Sequence, residues 1–454
     1  MNVLLLSTYE LGRQPIHLAS PAAALTAAGH DVKAVDLSVE ELDRSLVDWA
    51  EAVGISVPMH TATRLAAGVV RQIKQLRSDL PVALYGLYAV VGEASGADAF
   101  LAGEYEPALV EWVSGTSDKT TVVHIGRSEF APPVRDVLPP LARYARLEHD
   151  GETRLAAAVE ASHGCRKRCR HCPVPTLYDG RMRVVPREVV LADIDQLVAA
   201  GASHISFADP DFLNAPRHSL AILEAAHAAH PKVTFDVTAK VEYILAHRDL
   251  WPRLAELNLL FVISAFESVD GSTLEILDKG HTTAEMAEAV EEVRAAGIHI
   301  RPTWLPFLPW TEVGHIMALF RFLDRHQLWE ATDPVQLSIR LLIPPGSLLE
   351  RHPAVTPHLL HLDTENLTWS WRFSHPEVEV LQKELAAIAA AASDCGEATT
   401  ATLAEMRRGV ERLTGTRLGA LPASGEAVPR LTESWFCCAE PTESQTDFIQ
   451  ILPG

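Results

Sequence analysis

At 454 residues, with 48% hydrophobic and 22% charged side chains, the chain is long enough for two or three separately cored domains of ordinary globular composition. A formal net charge of −20 argues against a general nucleic-acid surface, which rests on clustered Lys and Arg, and no apolar run approaches the ~20 residues of a membrane span. Six unevenly spaced cysteines suit a reducing compartment better than a secreted disulfide framework, so a cytoplasmic protein acting on a small molecule is the default expectation.

The opening, MNVLLLSTYELG, has no basic n-region and reads as a first strand. Further strands are predicted at DVKAVDL, VGISVP, PVALYGL and ADAFLAG, with helices from near Pro21, Val39, Thr61 and Pro107. Ser20 and Pro21 read as an N-cap and first helical position, and Gly29 as the stop. Strands separated by helices imply a parallel, doubly wound α/β domain over residues 1–125, Rossmann-like in layout. No Gly-x-Gly-x-x-Gly follows the first strand, so a dinucleotide site has no support. The Pro-rich FAPPVRDVLPP marks residues 126–154 as a linker.

Residues 155–349 contain six strand-helix units, with predicted strands LAAAVEAS, HISFAD, KVTFDVTAK, LLFVISAFES, IHIRPTWL and VQLSIRLL. These runs are apolar throughout, as strands buried on both faces should be, and Gly201 and Gly297 stand as helix stops. Six units fit a partial parallel barrel, whose chemistry gathers at the C-terminal strand ends. Polar residues fall there: Asp209 and Asp211 after the second strand, Lys240 after the third, Glu267 after the fourth, and PPGS after the sixth. Arg340, on the sixth, is predicted to face the barrel interior.

After the first of these strands comes ASHGCRKRCRHCPVP, in which Cys165, Cys169 and Cys172 form a Cys-x3-Cys-x2-Cys run. Three thiolates so spaced can hold three corners of a 4Fe-4S cluster and leave one iron open. Arg166, Lys167, Arg168 and Arg170 interleave with the sulfurs and are expected to favour the thiolates and offset the cluster's charge. The alternative is a structural zinc site completed by His163 or His171, although zinc sites usually pair two Cys-x2-Cys knuckles and only one is present.

Residues 350–454 form a helical region, with helices predicted from Pro376 to Cys395 and from Thr399 to about Thr414, ending in ESWFCCAEPTESQTDFIQILPG. Adjacent Cys437 and Cys438 could chelate a soft, thiophilic centre, and Trp435 and Phe436 could press that tail onto the barrel mouth. Cys395 is a weaker third candidate ligand, its other reading being a helix-end residue before Gly396.

The cysteine spacing together with the strand-end segments resembles the radical S-adenosylmethionine (radical SAM) superfamily. That resemblance implies a partial barrel in which SAM chelates the open iron, and an electron donor such as flavodoxin or ferredoxin. ADPDFLNAP resembles the Asp-rich turn of a cobalamin-linked branch, assigning Asp209 and Asp211 to cofactor or substrate. SAFES, with Ser264 and Glu267, resembles the site that meets the SAM ribose, TLEILDKGHT with Lys279 and Gly280 extends the match, and LLIPPGS resembles the sixth-strand turn. His171 departs from the aromatic residue usual before the third cysteine, and the Gly-Gly-Glu of other members is missing.

The first domain resembles the cobalamin-binding domain that precedes many such barrels, FLAGEYEPAL resembling its closing strand and helix. Its Asp-x-His-x-x-Gly motif is absent, and His60 in PMHTATR has neither flanking residue. Two readings stay open, corrinoid bound without a protein histidine or a domain that keeps only the shape; the second is favoured, so cobalamin is expected to be absent. The tail resembles a branch ending in Cys-Cys-Ala-Glu-Pro, or the same motif with selenocysteine second. The chain is similar to members of that branch that join the 3-amino-3-carboxypropyl group of SAM to arsenite at the start of arsinothricin biosynthesis. As(III) held by Cys437 and Cys438 is the lead expectation. The competing readings are a cobalamin-dependent radical methyltransferase, a redox dithiol enzyme, and a non-catalytic thiol-metal binder.

Overall fold

The computed structural model describes residues 1–117, 119–419, 421 and 428–433, so Trp435, Phe436, Cys437 and Cys438 lie outside the described residues. Six strands, β1 (Asn2–Ser7), β2 (Asp31–Asp36), β3 (Ala52–Ser56), β4 (Val82–Tyr85), β5 (Ala99–Gly103) and β6 (Thr121–His124), form one parallel sheet in the order β2-β1-β3-β4-β5-β6. Alternate residues of β1 serve two cores. Val3 and Leu5 pack with helix Ile16–Ala27, while Leu4 and Leu6 belong to the core beneath helix His60–Leu76. Burial on both faces explains the unbroken apolar strands.

Three local expectations need correcting. The first helix begins at Ile16 and carries Pro21 inside it. Proline cannot donate to the carbonyl four residues back, but the Tyr85 hydroxyl donates to His17 O at 2.8 Å and satisfies that group instead. The second helix starts at Arg44, not near Val39, because the Asp43 carboxylate accepts from Ser45 N and caps it there. The half-exposed strand β6 was not anticipated.

The span 126–154 is more than a linker. It contains β7 (Arg146–His149) and the start of β8 (Glu152–Val159), paired antiparallel. Its Arg135 is buried: Nε and Nη2 fork onto Asp193 Oδ1 and Oδ2 at 2.8 and 2.7 Å, Nη2 also donates to Ala158 O at 2.8 Å, and Nη1 donates to Gln14 O at 3.3 Å. One guanidinium thus ties the loop after β1 to the second sheet.

A small antiparallel pair, β9 (Ser162–Gly164) and β10 (Met182–Val184), follows. The second sheet then continues through β11 (His204–Phe207), β12 (Thr234–Thr238), β13 (Leu259–Glu267) and β14 (His299–Trp304). After the hairpin β15 (Leu359–Asp363) and β16 (Thr368–Trp371), β17 (Arg430–Leu431) completes the order β14-β13-β12-β11-β8-β7-β17. Five of its strands are parallel.

The sixth predicted strand is not a strand. VQLSIRLL opens in a single helical turn, Pro334–Leu337, and its sheet contact is one parallel bridge, Phe307 with Arg340. Its neighbour β14 ends at Trp304, and Pro306 and Pro309 just beyond lack the N–H groups a ladder needs. Helices Arg187–Ala199 and Thr283–Ala295 end before Gly201 and Gly297 as predicted, and helices Pro376–Cys395 and Thr399–Thr414 match expectation. Among the described residues no helix is long and apolar enough to cross a membrane.

Candidate active site

The cysteine loop leaves β9 through Gly164 at φ +74°, where a Cβ would lie 2.5 Å from Arg181 O, so only glycine fits. Cys165 and Cys169 are buried and Cys172 half-buried. Burial pushes the Cys165 thiol up, partly offset by Lys167 N, which donates to its Sγ at 3.4 Å. Asn214 Oδ1 stands 3.9 Å from the same sulfur and accepts from Arg166 N at 3.3 Å.

The loop's own cations do not serve the sulfurs in the way expected. Arg166 meets Met182 Sδ, Lys167 pairs with Glu242 at 2.8 Å, Arg168 pairs with Asp179 at 2.7 Å, and Arg170 donates to Glu275 O and Ile276 O at a helix end. The positive charge beside the thiols comes instead from Lys240, after β12, and from Lys279, after the helix Gly271–Leu277. Lys240 Nζ lies 3.1 Å from Cys169 Sγ. Buried Lys279 has its pKa raised despite burial, chiefly by Glu267 and further by Cys169 and Cys172.

The strand-end polar residues converge as follows. Asp211 accepts from Leu213 N and Lys240 N at 2.9 Å each, linking the second and third strand ends, and burial pushes its carboxyl up to about 7. Asp209 accepts from Ala161 N at 2.9 Å and Ser162 Oγ at 2.5 Å, bracing the turn before the cysteines, and burial raises it to about 6. Glu267 sits at φ +65° where the register with β14 shifts, a bulge that turns its side chain toward the loop at a cost of about 1–2 kcal/mol. Its Oε1 meets both His171 Nε2 at 3.0 Å and Lys279 Nζ at 3.2 Å. Burial would raise this carboxyl, but Lys279 and His171 hold it down to about 2.

Two predicted residues stand apart. Ser264 shares a face of β13 with Val262 and Phe266, which point into the packed apolar core, and its buried Oγ has no hydrogen-bond partner among the described residues. Arg340 stacks its guanidinium 3.9 Å from the Trp371 ring centroid and 5.1 Å from that of Phe373 and donates to Trp371 O, so its partners belong to the C-terminal region. Cys395 is exposed at its helix end.

The donor set fits an iron-sulfur cube better than zinc. His163 has both ring nitrogens held, by Glu104 at 2.8 Å and Glu160 at 3.3 Å, so it supplies no fourth ligand in this arrangement, while Glu267 holds only Nε2 of His171. A cube takes its thiolates on three different irons and does not need them to meet at one point; among the described residues no three His, Cys, Asp or Glu side chains do so. Two buried polar atoms beside the loop, His171 Nδ1 and Asn214 Nδ2, have no partner among the described residues, as sites that await a bound group often do.

A cavity of about 220 Å³ lies where the C-terminal edge of the first sheet faces the cysteine-loop end of the second, lined by Glu10, Arg13, His17, Tyr105, Phe130 and His163 among others. Sequence reasoning missed its charge network. Burial alone would lower His17, but Glu10, at 3.0 Å, and Glu160 raise it to about 9. His163 is raised likewise against burial by Glu104 and Glu160, while Glu160 is held down to about 2, chiefly by His17. Glu104 also accepts from Tyr178 Oη at 3.0 Å. The available signal was positional: Glu104 follows β5 and Glu160 follows β8, the strand ends that two apposed sheets bring together. His60 is turned elsewhere, its Nε2 meeting Leu367 O at 3.0 Å.

Comparison with known proteins agrees with this arrangement. Residues 159–320 match the radical SAM superfamily model. The chain is 25% identical over 316 residues to the hopanoid C-3 methylase of Methylococcus capsulatus, covering 63% of this chain and 60% of that one. It is 23% identical over 281 residues to the hopanoid C-2 methylase of Rhodopseudomonas palustris, covering 59% and 52%. The chain therefore spans little more than half the length of these curated relatives. Among solved structures it resembles the cobalamin-dependent radical SAM enzyme OxsB with aqua-cobalamin and SAM bound (TM-score 0.66, 15% identity, 84% of this chain and 66% of that one). It also resembles the radical SAM methyltransferase TsrM from Kitasatospora setae (TM-score 0.58, 17% identity, 72% and 71%). At these identities the solved structures speak for the fold alone, an α/β arrangement with a partly curled sheet. The cysteine loop and the strand ends that surround it lie within the residues that match the radical SAM superfamily model.

Proposed function

We propose that the protein is a radical SAM transferase of the cobalamin-linked kind, with Cys165, Cys169 and Cys172 holding a 4Fe-4S cluster and a corrinoid seated between the two sheets. The observation that carries the reading is the placement of the cavity directly beyond the cysteine loop, at the carboxyl edge of a parallel sheet where α/β folds take ligands. When bound, the cluster supplies an electron to the sulfonium of SAM and the corrinoid a transferable alkyl group.

The chain's own residues do the rest. Lys240 and Lys279 balance thiolate charge, Asp211 fixes the Lys240 backbone, and Glu267 and His171 tie the loop to the fourth strand. In the cavity, His17 and His163 are committed to carboxylates, which suits a corrinoid carried without a protein histidine on cobalt. Buried Glu10 Oε2 has no partner among the described residues and can accept from an amide side chain of the ring. The expected absence of cobalamin, drawn from the missing motif, therefore loses its support: the motif was sought at His60, which faces Leu367, and the similar OxsB structure contains cobalamin.

A second reading, alkylation of As(III), rests on the Cys437-Cys438 tail. One experiment separates the two. Anaerobically reconstituted, reduced protein is assayed for iron and corrinoid, then incubated with SAM with and without arsenite. Bound corrinoid together with S-adenosylhomocysteine and 5′-deoxyadenosine supports the first reading. Methylthioadenosine formed only with arsenite, and lost in the Cys437→Ser/Cys438→Ser variant, supports the second. Neither adenosyl product nor bound iron would falsify both.

A further inference from the structure

The segment 166–187 carries seven Lys and Arg against one Asp, in a chain whose net charge is −20. Much of this charge is spent inside the fold: Lys167 pairs with Glu242, Arg170 caps a helix end, and Arg183 donates to Gly126 O at 2.7 Å. Arg187 is exposed at the start of helix Arg187–Ala199, and Arg166, Arg168 and Arg181 remain exposed beside the cysteine loop. These last three form one patch. Arg166 Nε contacts Met182 Sδ at 3.3 Å, and Arg168 donates to Asp179 O at 3.1 Å and passes 3.2 Å from where a Cβ on Gly180 would stand, so the cysteine loop lies along the 179–182 turn with Arg181 between these contacts.

The Arg168–Asp179 pair does not neutralise this face, since both side chains are more than half exposed and such pairs contribute little. The patch also lies next to the thiols in the chain: Arg166 follows Cys165 and Arg168 precedes Cys169, about 3.8 Å apart between adjacent Cα atoms. A positive face on an acidic molecule attracts an acidic partner there and repels it elsewhere, which sets orientation as well as encounter rate. Its position beside the buried thiols, taken with the cluster proposed for them, gives the partner's chemistry.

Building on the cluster reading above, we propose that the face formed by Arg166, Arg168 and Arg181 is the docking surface for an acidic one-electron carrier protein. The partner is oxidised by one electron and SAM is reduced by one. The sulfonium carbon–sulfur bond then breaks to a neutral thioether and a carbon radical, and docking itself exchanges no proton.

The test uses the reconstituted full chain with two reductants, reduced flavodoxin and dithionite, and 5′-deoxyadenosine as readout. In Arg166→Glu/Arg168→Glu/Arg181→Glu the flavodoxin-driven rate is expected to fall at least tenfold at low salt while the dithionite-driven rate stays within twofold. The all-Lys triple variant should keep both rates. Raising salt should slow the wild-type reaction only with flavodoxin. An unchanged flavodoxin rate in the charge-reversed protein overturns the proposal. So does an equal loss with both reductants, or salt-sensitive retention of an RNA duplex that the triple variant loses. If the wild type gives no adenosyl product and holds no iron with either reductant, the cluster reading itself has failed.

Discussion

The cavity between the sheets and the cysteine loop lie side by side, yet they handle buried polar groups in opposite ways. In the cavity, His17, His163, Glu10, Glu104 and Glu160 are chiefly partners for one another, and the pKa values of His17, His163, Glu104 and Glu160 are driven toward the charged forms. Around the cysteines, burial drives the Cys165 thiol, Asp209 and Asp211 toward their neutral forms, and polar atoms on His171 and Asn214 are left over. The first region answers most of its buried charge from within, Glu10 Oε2 excepted among the described residues. The second is arranged for a group that brings its own charge.

The sharpest test is removal of a thiol. Replacing Cys165, Cys169 or Cys172 with Ala is expected to abolish iron retention and adenosyl product, with far-ultraviolet circular dichroism unchanged; retention of full iron by any of the three would break the contrast. Next in size is Glu267→Gln, which leaves Lys279 buried without its carboxylate. A loss of about 3–5 kcal/mol in urea unfolding is expected, partly recovered when Lys279→Met is added.

The cavity network makes a smaller prediction in pH. His17 is raised from 6.5 to about 9, so its contribution is complete below pH 6.5 and is lost as pH rises through 9. His163, shifted in the same direction, adds to this. Between pH 7 and 9.5 stability should fall by about 2–3 kcal/mol, of which the last of the Asp211 titration supplies only about 0.4 kcal/mol, and His17→Gln should flatten the slope. The smallest effect is expected for Tyr85→Phe, which strands the His17 carbonyl above Pro21; about 1 kcal/mol of lost stability is expected, read from the urea midpoint.

What was legible in the sequence follows from range. The cysteine spacing, the apolar strands and the polar strand ends are local patterns, and they point to the loop and to the cluster of Asp211, Lys240 and Glu267. Pro21 misleads because its compensation comes from Tyr85, far along the chain, and VQLSIRLL misleads because its periodicity is that of a strand whose neighbour has already stopped. Ser264 looks like a neighbour of Glu267 in SAFES, but pleating and the bulge send them to different places. The His–Glu network is invisible in one dimension, since His163 and Glu104 meet only when two sheets are apposed.

Arg135 carries one more consequence. A single planar side chain, gripping Asp193, Ala158 and Gln14 at once, acts as a rivet through both halves of the molecule. A clamshell opening there would have to disturb a buried two-pronged pair and its tie to Gln14, which favours a cleft that stays a fixed slot. Substrates would then enter through an aperture, and the gate is to be sought in the loops around the slot rather than in a swing of the whole first domain.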